Sequence, residues 1–68
     1  MSVTVNGEKR ELEAGTTFLS ELMVALGKDG KTGIAVAING TVVPQTGWTE
    51  QVLTDGDSIL VIQATQGG

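Results

Sequence analysis

The sequence predicts a small α+β fold in which one helix covers one face of a mixed β-sheet. Its 68 residues leave room for one domain. Two Asn-Gly pairs, each preceded by a segment with a strand pattern, are typical of tight β-hairpins. An apolar stripe with helical spacing lies between them in the chain. Two hairpins, one helix and a further apolar strand near the C-terminus pack most simply as two layers.

The first hairpin is predicted by Val3 and Val5, which alternate with polar residues, and by the Asn6-Gly7 pair that follows them. Both residues of this pair tolerate the positive φ that a type I′ turn requires. The return strand, residues 8–13, has poor alternation and much charge. It is therefore predicted to be an edge strand that its charges protect from unwanted pairing.

A single helix is predicted after this hairpin, because four apolar residues recur at i, i+3, i+4 and i+7. These are Leu19, Leu22, Met23 and Leu26. We expect Thr17 to be the N-cap, since its hydroxyl can accept a free backbone N–H. Ser20 occupies the position where a capping box would need Glu or Gln, and Glu21 suits the positive end of the helix dipole. Gly27 is predicted to end the helix in the left-handed conformation.

The second hairpin begins with the apolar run Ile34–Ile38, which predicts a central strand covered on both faces. Asn39-Gly40 repeats the type I′ turn signal, and residues 41–43 are predicted to be the short return strand. Pro44 fits the end of that strand, because proline cannot donate a hydrogen bond to the sheet.

The last third of the chain contains a connection, a turn and a strand. Residues 45–53 predict an irregular connection with Trp48 and Val52 as its anchors, and an interface role for Trp48 is the alternative. The Asp55-Gly56-Asp57 sequence predicts a turn rather than a calcium loop, since the other oxygen ligands that calcium needs are absent. Residues 58–64 are predicted to be the last strand.

The last strand is predicted to lie beside the first, because this places the most apolar strand at the centre of the sheet under the helix. If Ile59 and Val61 then face the helix, Leu60 and Ile62 face the other way. The strand 34–38 contributes one of two sets of side chains to that same face: Ala35 and Ala37, or else Ile34, Val36 and Ile38. One helix cannot cover both faces, so Leu60 and Ile62 are predicted to mark a partner-binding face. The alternative is a barrel-like curl of the sheet that hides them.

Composition excludes several classes of function. The chain has no Cys and no His, which removes disulfides, thiolate metal sites, Cys-ligated iron–sulfur clusters, the usual general base and most zinc sites. Four Lys and Arg against eight Asp and Glu give a net charge of −4, which disfavours nucleic acid as a partner and suits a basic protein. No apolar run approaches the roughly 18 residues of a membrane span, and no signal peptide is evident. We therefore expect a cytoplasmic protein with little catalytic equipment and no membrane partner.

The Gly67-Gly68 end is the most informative feature of the sequence. Residues 65–68 are predicted to form a flexible tail beyond a domain of residues 1–64. Glycine has no Cβ, so such a tail can thread a narrow channel and present its carboxylate to the active site of another protein. A carboxylate adenylated on ATP accepts a sulfur or amine nucleophile, and nothing in this chain could perform that activation. The tail would therefore be a substrate; the alternative is a frayed terminus.

In combination, these motifs resemble the sulfur carrier proteins of thiamin biosynthesis, the ThiS family. The resemblance extends over nearly the whole chain, and the motifs occur in the family's order. The family usually has its capping Thr directly before the first apolar helix residue, whereas Phe18 intervenes here between Thr17 and Leu19. The matching stretches are Val3-Thr4-Val5-Asn6-Gly7, Ala14-Gly15-Thr16-Thr17, Val36-Ala37-Ile38-Asn39-Gly40, Val42-Val43-Pro44, Trp48, Asp55-Gly56-Asp57-Ser58-Ile59 and Gly67-Gly68.

The resemblance implies a ubiquitin-like β-grasp fold with strand order 2-1-5-3-4. It also implies that an E1-like adenylyltransferase (ThiF-like) adenylates the carboxylate of Gly68 with ATP and magnesium, while the chain itself binds no cofactor and is not an enzyme. Sulfur from cysteine, supplied through a cysteine desulfurase system, then converts this carboxylate to a thiocarboxylate. A ThiG-like thiazole synthase takes the sulfur to build the thiazole ring. Gly68 is thus the predicted sulfur-carrying residue, and Gly67 is the slim residue that threads the partner.

Three other functions remain open from the sequence. The chain could be a sulfur carrier for molybdopterin synthesis or tRNA thiolation, although Val42-Val43-Pro44 with Trp48 favours the thiamin branch. It could be a ubiquitin-like modifier that forms an isopeptide bond through Gly68. It could be a plain β-grasp binding module, against which the acidity and the Gly-Gly end both argue. β-grasp ferredoxins are excluded by the absence of Cys.

Overall fold

A computed structural model of the chain describes residues 1–28 and 32–64. The predicted tail, residues 65–68, lies outside the described residues, and strands 8–13 and 58–64 prove shorter at their C-terminal ends than predicted. In the described part, no helix is both long and apolar enough to cross a membrane. The elements are β1 (Ser2–Val5), β2 (Glu8–Glu11), α1 (Leu19–Ala25), β3 (Ile34–Ile38), β4 (Thr41–Val43), a 3₁₀ turn (Gln45–Gly47) and β5 (Ser58–Gln63).

The five strands of the described chain form one mixed sheet in the predicted order, β2-β1-β5-β3-β4. β1 and β5 run parallel, whereas the other neighbouring pairs are antiparallel. The ladder between β3 and β5 runs from Ile34 opposite Gln63 to Ile38 opposite Ile59. β5 therefore joins the two hairpins at the centre of the sheet.

Both hairpin turns have the backbone that the Asn-Gly pairs predict. Asn6 and Gly7 have φ angles of 52° and 85°, and Asn39 and Gly40 have φ angles of 50° and 85°. Left-handed φ at both central positions matches the twist of the flanking strands. The turns therefore fix the pairing register of each hairpin.

The start of α1 differs from the prediction. Phe18, not Thr17, is the N-cap residue, and its side chain has no oxygen to accept a backbone N–H. Instead, the Glu21 carboxylate accepts hydrogen bonds from the backbone N–H groups of Phe18 and Thr17, each at 2.8 Å. Glu21 is thus the third helical residue and supplies the glutamate half of a capping box, so the expectation that this residue is missing was wrong.

The first N–H groups of α1 find their acceptors in a distant part of the chain. The N–H of Leu19 donates to the Gln51 carbonyl at 2.8 Å, and the N–H of Ser20 donates to the Trp48 carbonyl at 3.1 Å. These donors have no partner within the helix itself. The connection after β4 therefore completes the start of the helix.

The end of α1 follows the prediction. Gly27 adopts a left-handed φ of 73°. Its N–H donates to the Val24 carbonyl at 3.0 Å, and the N–H of Lys28 donates to the Met23 carbonyl at 2.9 Å. This pair of bonds is the Schellman motif, which glycine permits at little steric cost.

The core lies between α1 and one face of the sheet, and the other face is open. The prediction that β3 is covered on both faces was wrong, since Val36 and Ile38 are buried but Ala35 is exposed. A single helix covers only one face of the sheet. The buried apolar residues are Val3, Leu19, Leu22, Met23, Val36, Ile38, Val43, Trp48, Leu53 and Ile59.

Trp48 anchors the irregular connection, as predicted. Its indole is buried, and Nε1–H donates to the Val43 carbonyl at 3.1 Å. The prediction of Val52 as the second anchor was wrong, because Val52 is 51% exposed and Leu53 is buried instead. The N–H of Leu53 donates to the Thr17 carbonyl at 2.8 Å. This hydrogen bond to the segment before α1 turns Leu53, rather than Val52, toward the core.

The Asp55-Gly56-Asp57 turn is confirmed, with Gly56 at a left-handed φ of 87°. The buried carboxylate of Asp57 accepts hydrogen bonds from the Thr54 N–H at 2.8 Å and from Nδ2 of Asn39 at 2.9 Å. Asp57 therefore ties the turn to the second hairpin.

Candidate functional site

Two of the features predicted from the sequence come together on β5. One is the open face of the sheet, and the other is the strand end that leads toward Gly67 and Gly68. These two glycines lie outside the described residues. We call the open surface the outer face, and its apolar residues are Ala35, Ala37, Val42, Leu60 and Ile62.

The register of β3 exposes the larger side chains of the outer face. Leu60 lies opposite Ala37, and Ile62 lies opposite Ala35. Ala37 in turn lies opposite Val42 on β4. Because alanine side chains are short, they form a shallow floor between the larger neighbours. Leu60, Ile62 and Val42 are 49%, 55% and 70% exposed, so the alternative in which a curled sheet hides Leu60 and Ile62 does not apply.

Charged residues border the outer face on the side of β2. Lys9 lies opposite Thr4 and Glu11 lies opposite Ser2, so alternation places all four on the same face as Leu60. The only ion pair among the described residues joins the N-terminal amine of Met1 to Glu11 at 3.5 Å. The outer face therefore has an apolar centre and a polar border, which is the general anatomy of a protein–protein interface.

The end of β5 is held from both sides. On the β3 side, Gln63 pairs with Ile34, and the N–H of Ala64 donates to the Gly33 carbonyl at 2.8 Å. Nζ of Lys28, just after α1, donates to Oε1 of Gln63 at 3.1 Å. The chain is therefore tied to its neighbours as far as Ala64, the last described residue before the Gly-Gly end.

On the β1 side, the end of β5 is held by a residue that sequence reasoning did not single out. Oδ1 of Asn6 accepts the Val61 N–H at 2.8 Å, and Nδ2 of Asn6 donates to the Val61 carbonyl at 3.2 Å. The only sequence signal is that the turn begins with Asn and not with Gly or Asp. Backbone conformation alone is enough to explain an Asn there, so the signal does not point to Val61.

Among residues 1–28 and 32–64, no group of three or more His, Cys, Asp or Glu side chains could hold a metal ion. Hydrogen bonds from the backbone N–H groups of Phe18 and Thr17 lower the pKa of Glu21 below its ordinary value, but this carboxylate caps α1. What the arrangement does provide is an apolar surface beside an anchored strand end.

Comparison with known proteins gives one answer for the whole chain. The profile of the ThiS family matches residues 3–68. A relative, the sulfur carrier protein ThiS of Escherichia coli (strain K12), is 35% identical over 68 residues, which cover all of both chains.

Solved structures agree. The crystal structure of the thiamine biosynthesis protein (ThiS) from Geobacter metallireducens has a TM-score of 0.82 at 26% identity, with full coverage of both chains. The NMR solution structure of a thiamine biosynthesis protein from Geobacter metallireducens has a TM-score of 0.77 at 25% identity and covers all of this chain and 88% of that one. The β-grasp fold that the resemblance implied is confirmed. The chain therefore belongs to the ThiS family, whose members are sulfur carriers of thiamine biosynthesis and are carrier proteins rather than enzymes.

Proposed function

We propose that this chain carries sulfur as a thiocarboxylate on Gly68. The carboxylate of Gly68 attacks the α-phosphorus of ATP and displaces pyrophosphate, which gives an acyl adenylate. A sulfur nucleophile derived from cysteine then attacks the carbonyl carbon, and AMP leaves. If that sulfur arrives as a protein persulfide, a thiol reductant cleaves the remaining S–S bond and frees the thiocarboxylate.

The observation that carries this proposal is the Gly67-Gly68 end within the stretch that matches the ThiS family. Four residues follow Ala64, and a chain of that length spans at most about 13–14 Å, at about 3.3–3.6 Å per residue. Two glycines at the end of such a segment carry no side chain into a partner's channel. The sulfur stays covalently attached throughout, so it is delivered at a high local concentration.

We further propose that the outer face docks the E1-like, ThiF-like activating enzyme. Leu60 and Ile62 keep about half of their surface exposed in the free chain, and their burial would favour binding through the hydrophobic effect. Both residues lie on β5, the strand that leads to Gly68. A partner that binds this face is therefore well placed to receive the C-terminal residues.

The remaining partners follow from the same chemistry. A cysteine desulfurase system supplies the sulfur, and a ThiG-like thiazole synthase receives it. ATP and magnesium are bound by the activating enzyme, while this chain contributes only the carboxylate and binds no cofactor. The cytoplasm supplies ATP and cysteine, so we place the reaction there.

Variants of the C-terminus test this proposal. ATP–pyrophosphate exchange, measured with the purified activating enzyme, reports adenylation of the carrier. A chain that lacks Gly68 should stay folded, because residues after the last strand contribute little packing, yet it should not support exchange. Gly67 would then end one residue short of the catalytic centre, and a misplacement of even about 1 Å can cost about 10²-fold in rate.

An added alanine after Gly68 serves as the complementary variant. It presents the wrong carboxylate and brings a methyl group into a channel that suits glycine, so exchange should again be lost. Exchange at the parent rate with both variants would refute the role of Gly68. If lysine conjugates form in place of a thiocarboxylate, the chain is a ubiquitin-like modifier instead.

A further inference from the structure

We propose that Asn6 is a positioning residue for the carrier reaction. Its side chain clamps β5 at Val61 and thereby fixes the position and direction of Ala64, from which the C-terminal residues start. The inference rests on the proposed function, since it concerns the delivery of Gly68 to the activating enzyme.

The clamp begins where the parallel pairing of β1 and β5 ends. That pairing comprises Thr4 opposite Ser58 and Val5 opposite Ile59. The backbone N–H of Asn6 still donates to the Ile59 carbonyl at 2.8 Å, but the chain then turns away into the hairpin. The side chain of Asn6 takes over, with bonds of 2.8 and 3.2 Å to the N–H and the carbonyl of Val61. The amide therefore extends the pairing by two residues along β5.

Without this clamp, the backbone of the last part of β5 would be held on the β3 side only, by the pairing of Gln63 with Ile34 and the bond from Ala64 to Gly33. The bond from Lys28 reaches the side chain of Gln63 and does not hold the backbone. A strand end held on one side can rotate about that side. Rotation at Val61 would be passed along β5 to Ala64, the last described residue, from which the C-terminal residues extend. Because a misplacement of about 1 Å can cost about 10²-fold in rate, a modest loss of alignment would slow adenylation.

The turn permits asparagine at this position but does not require it. Asn-Gly, Asp-Gly and Gly-Gly all suit a type I′ turn. Only Asn combines tolerance of the left-handed φ, here 52°, with one donor and one acceptor that match the N–H and the carbonyl of a single residue. A glycine would keep the turn and lose both bonds. An aspartate would keep the acceptor and place a second oxygen against the Val61 carbonyl.

The second hairpin provides a matched control. Asn39 has a nearly equal φ of 50° and also makes two side-chain bonds to the β5 region. Its Oδ1 accepts the Ser58 N–H and its Nδ2 donates to Oδ1 of Asp57, both at 2.9 Å. These bonds hold the start of β5, at the opposite end of the strand from Ala64. Because Asp57 is buried, their loss should destabilise the fold at least as much as loss of the Asn6 bonds.

The experiment compares Asn6→Gly and Asn39→Gly in the full chain with the activating enzyme, ATP and magnesium. For Asn6→Gly we expect the kcat of pyrophosphate exchange to fall between about 10- and 100-fold, while KM stays near that of the parent because the outer face is intact. Amide hydrogen exchange at Val61 should be faster. For Asn39→Gly we expect a lower melting temperature with unchanged kcat and KM. If Asn6→Gly lowers the folded fraction at assay temperature, Asn6→Asp carries the same test, with the same expected loss of kcat.

Several results would overturn the inference. A parent-like kcat for Asn6→Gly would show that the clamp does not matter for delivery. An equal loss of kcat in Asn39→Gly would assign the effect to general stability. A rise in KM with unchanged kcat would assign it to docking. If the parent chain itself supports no exchange, the proposed function fails and this inference fails with it. If the parent supports exchange and Asn6→Gly has the same kcat, only this inference fails.

Discussion

Replacement of Leu60 by aspartate should separate docking of the activating enzyme from folding. Leu60 is 49% exposed, so about half of its burial energy is still available to a partner. Full burial of a leucine is worth about 1.5–3 kcal/mol, and half of that is about 1 kcal/mol. An unpaired buried polar group costs a further ~1–3 kcal/mol, and more when it is charged. We therefore expect Leu60→Asp to weaken binding by about 2–4 kcal/mol, which is about 30- to 700-fold in Kd.

Isothermal titration of the carrier into the activating enzyme measures this change directly. Val24 offers a matched control, because it is 58% exposed but lies on α1, in the other layer of the fold. Val24→Glu adds the same charge and should leave Kd unchanged. Circular dichroism should show both variants folded. An unchanged Kd for folded Leu60→Asp, or an equal loss for Val24→Glu, would refute the assignment of the outer face as the docking surface.

Three further predictions concern the fold that presents this surface. Gly40→Val should lower the free energy of unfolding by about 1–3 kcal/mol through backbone strain, because Gly40 has φ 85° and the position that a Cβ would take has no neighbouring atom within 4 Å. A thermal melt equal to the parent's would contradict this. Trp48→Phe removes the buried donor to the Val43 carbonyl and should cost at least about 1–3 kcal/mol in urea unfolding; no loss would show that the bond is dispensable. Hydrogen bonds from the backbone of Phe18 and Thr17 lower the pKa of Glu21, so the stability that this carboxylate contributes is present above the ordinary glutamate pKa and is lost as pH falls through the lowered value. The Glu21→Gln variant should therefore lose less stability than the parent as the pH falls. Identical stability profiles in acid would contradict this.

The architecture was predictable because its signals are local. Each Asn-Gly pair fixes its own turn, and the stripe from Leu19 to Leu26 fixes one helical face. The exposure of Leu60 and Ile62 was predictable for a similar reason, since strand alternation and a single helix leave one face open. The strand order needed the family resemblance in part: the apolar character of the last strand indicates a central position, but no local pattern states which strands become its neighbours.

The errors arose where the structure depends on contacts between distant segments. The helix start was misassigned because the N–H groups of Leu19 and Ser20 are satisfied by the 48–51 backbone, which no capping pattern reveals. Val52 was preferred over Leu53 as an anchor because an irregular segment has no period. The β-bridge between Phe18 and Val52 determines which of these two side chains points toward the core.

The candidate site was predictable only in part for the same reason. The turn-forming role of Asn6 is local, but its bonds to Val61 cross 55 positions in the sequence. A donor and an acceptor on one side chain gain a partner only once β5 is in place. The sequence therefore shows that Asn6 suits a turn and does not show what the amide binds.

The central claim, that Gly68 carries sulfur, is tested most directly by intact-mass and fragmentation spectrometry of the parent chain. The chain is incubated with the activating enzyme, ATP, magnesium, a cysteine desulfurase, cysteine and a thiol reductant. We predict that one oxygen is replaced by one sulfur, that fragmentation places the sulfur on Gly68, and that the exchange requires ATP. An unchanged mass under these conditions, or sulfur located at any other residue, would contradict the account.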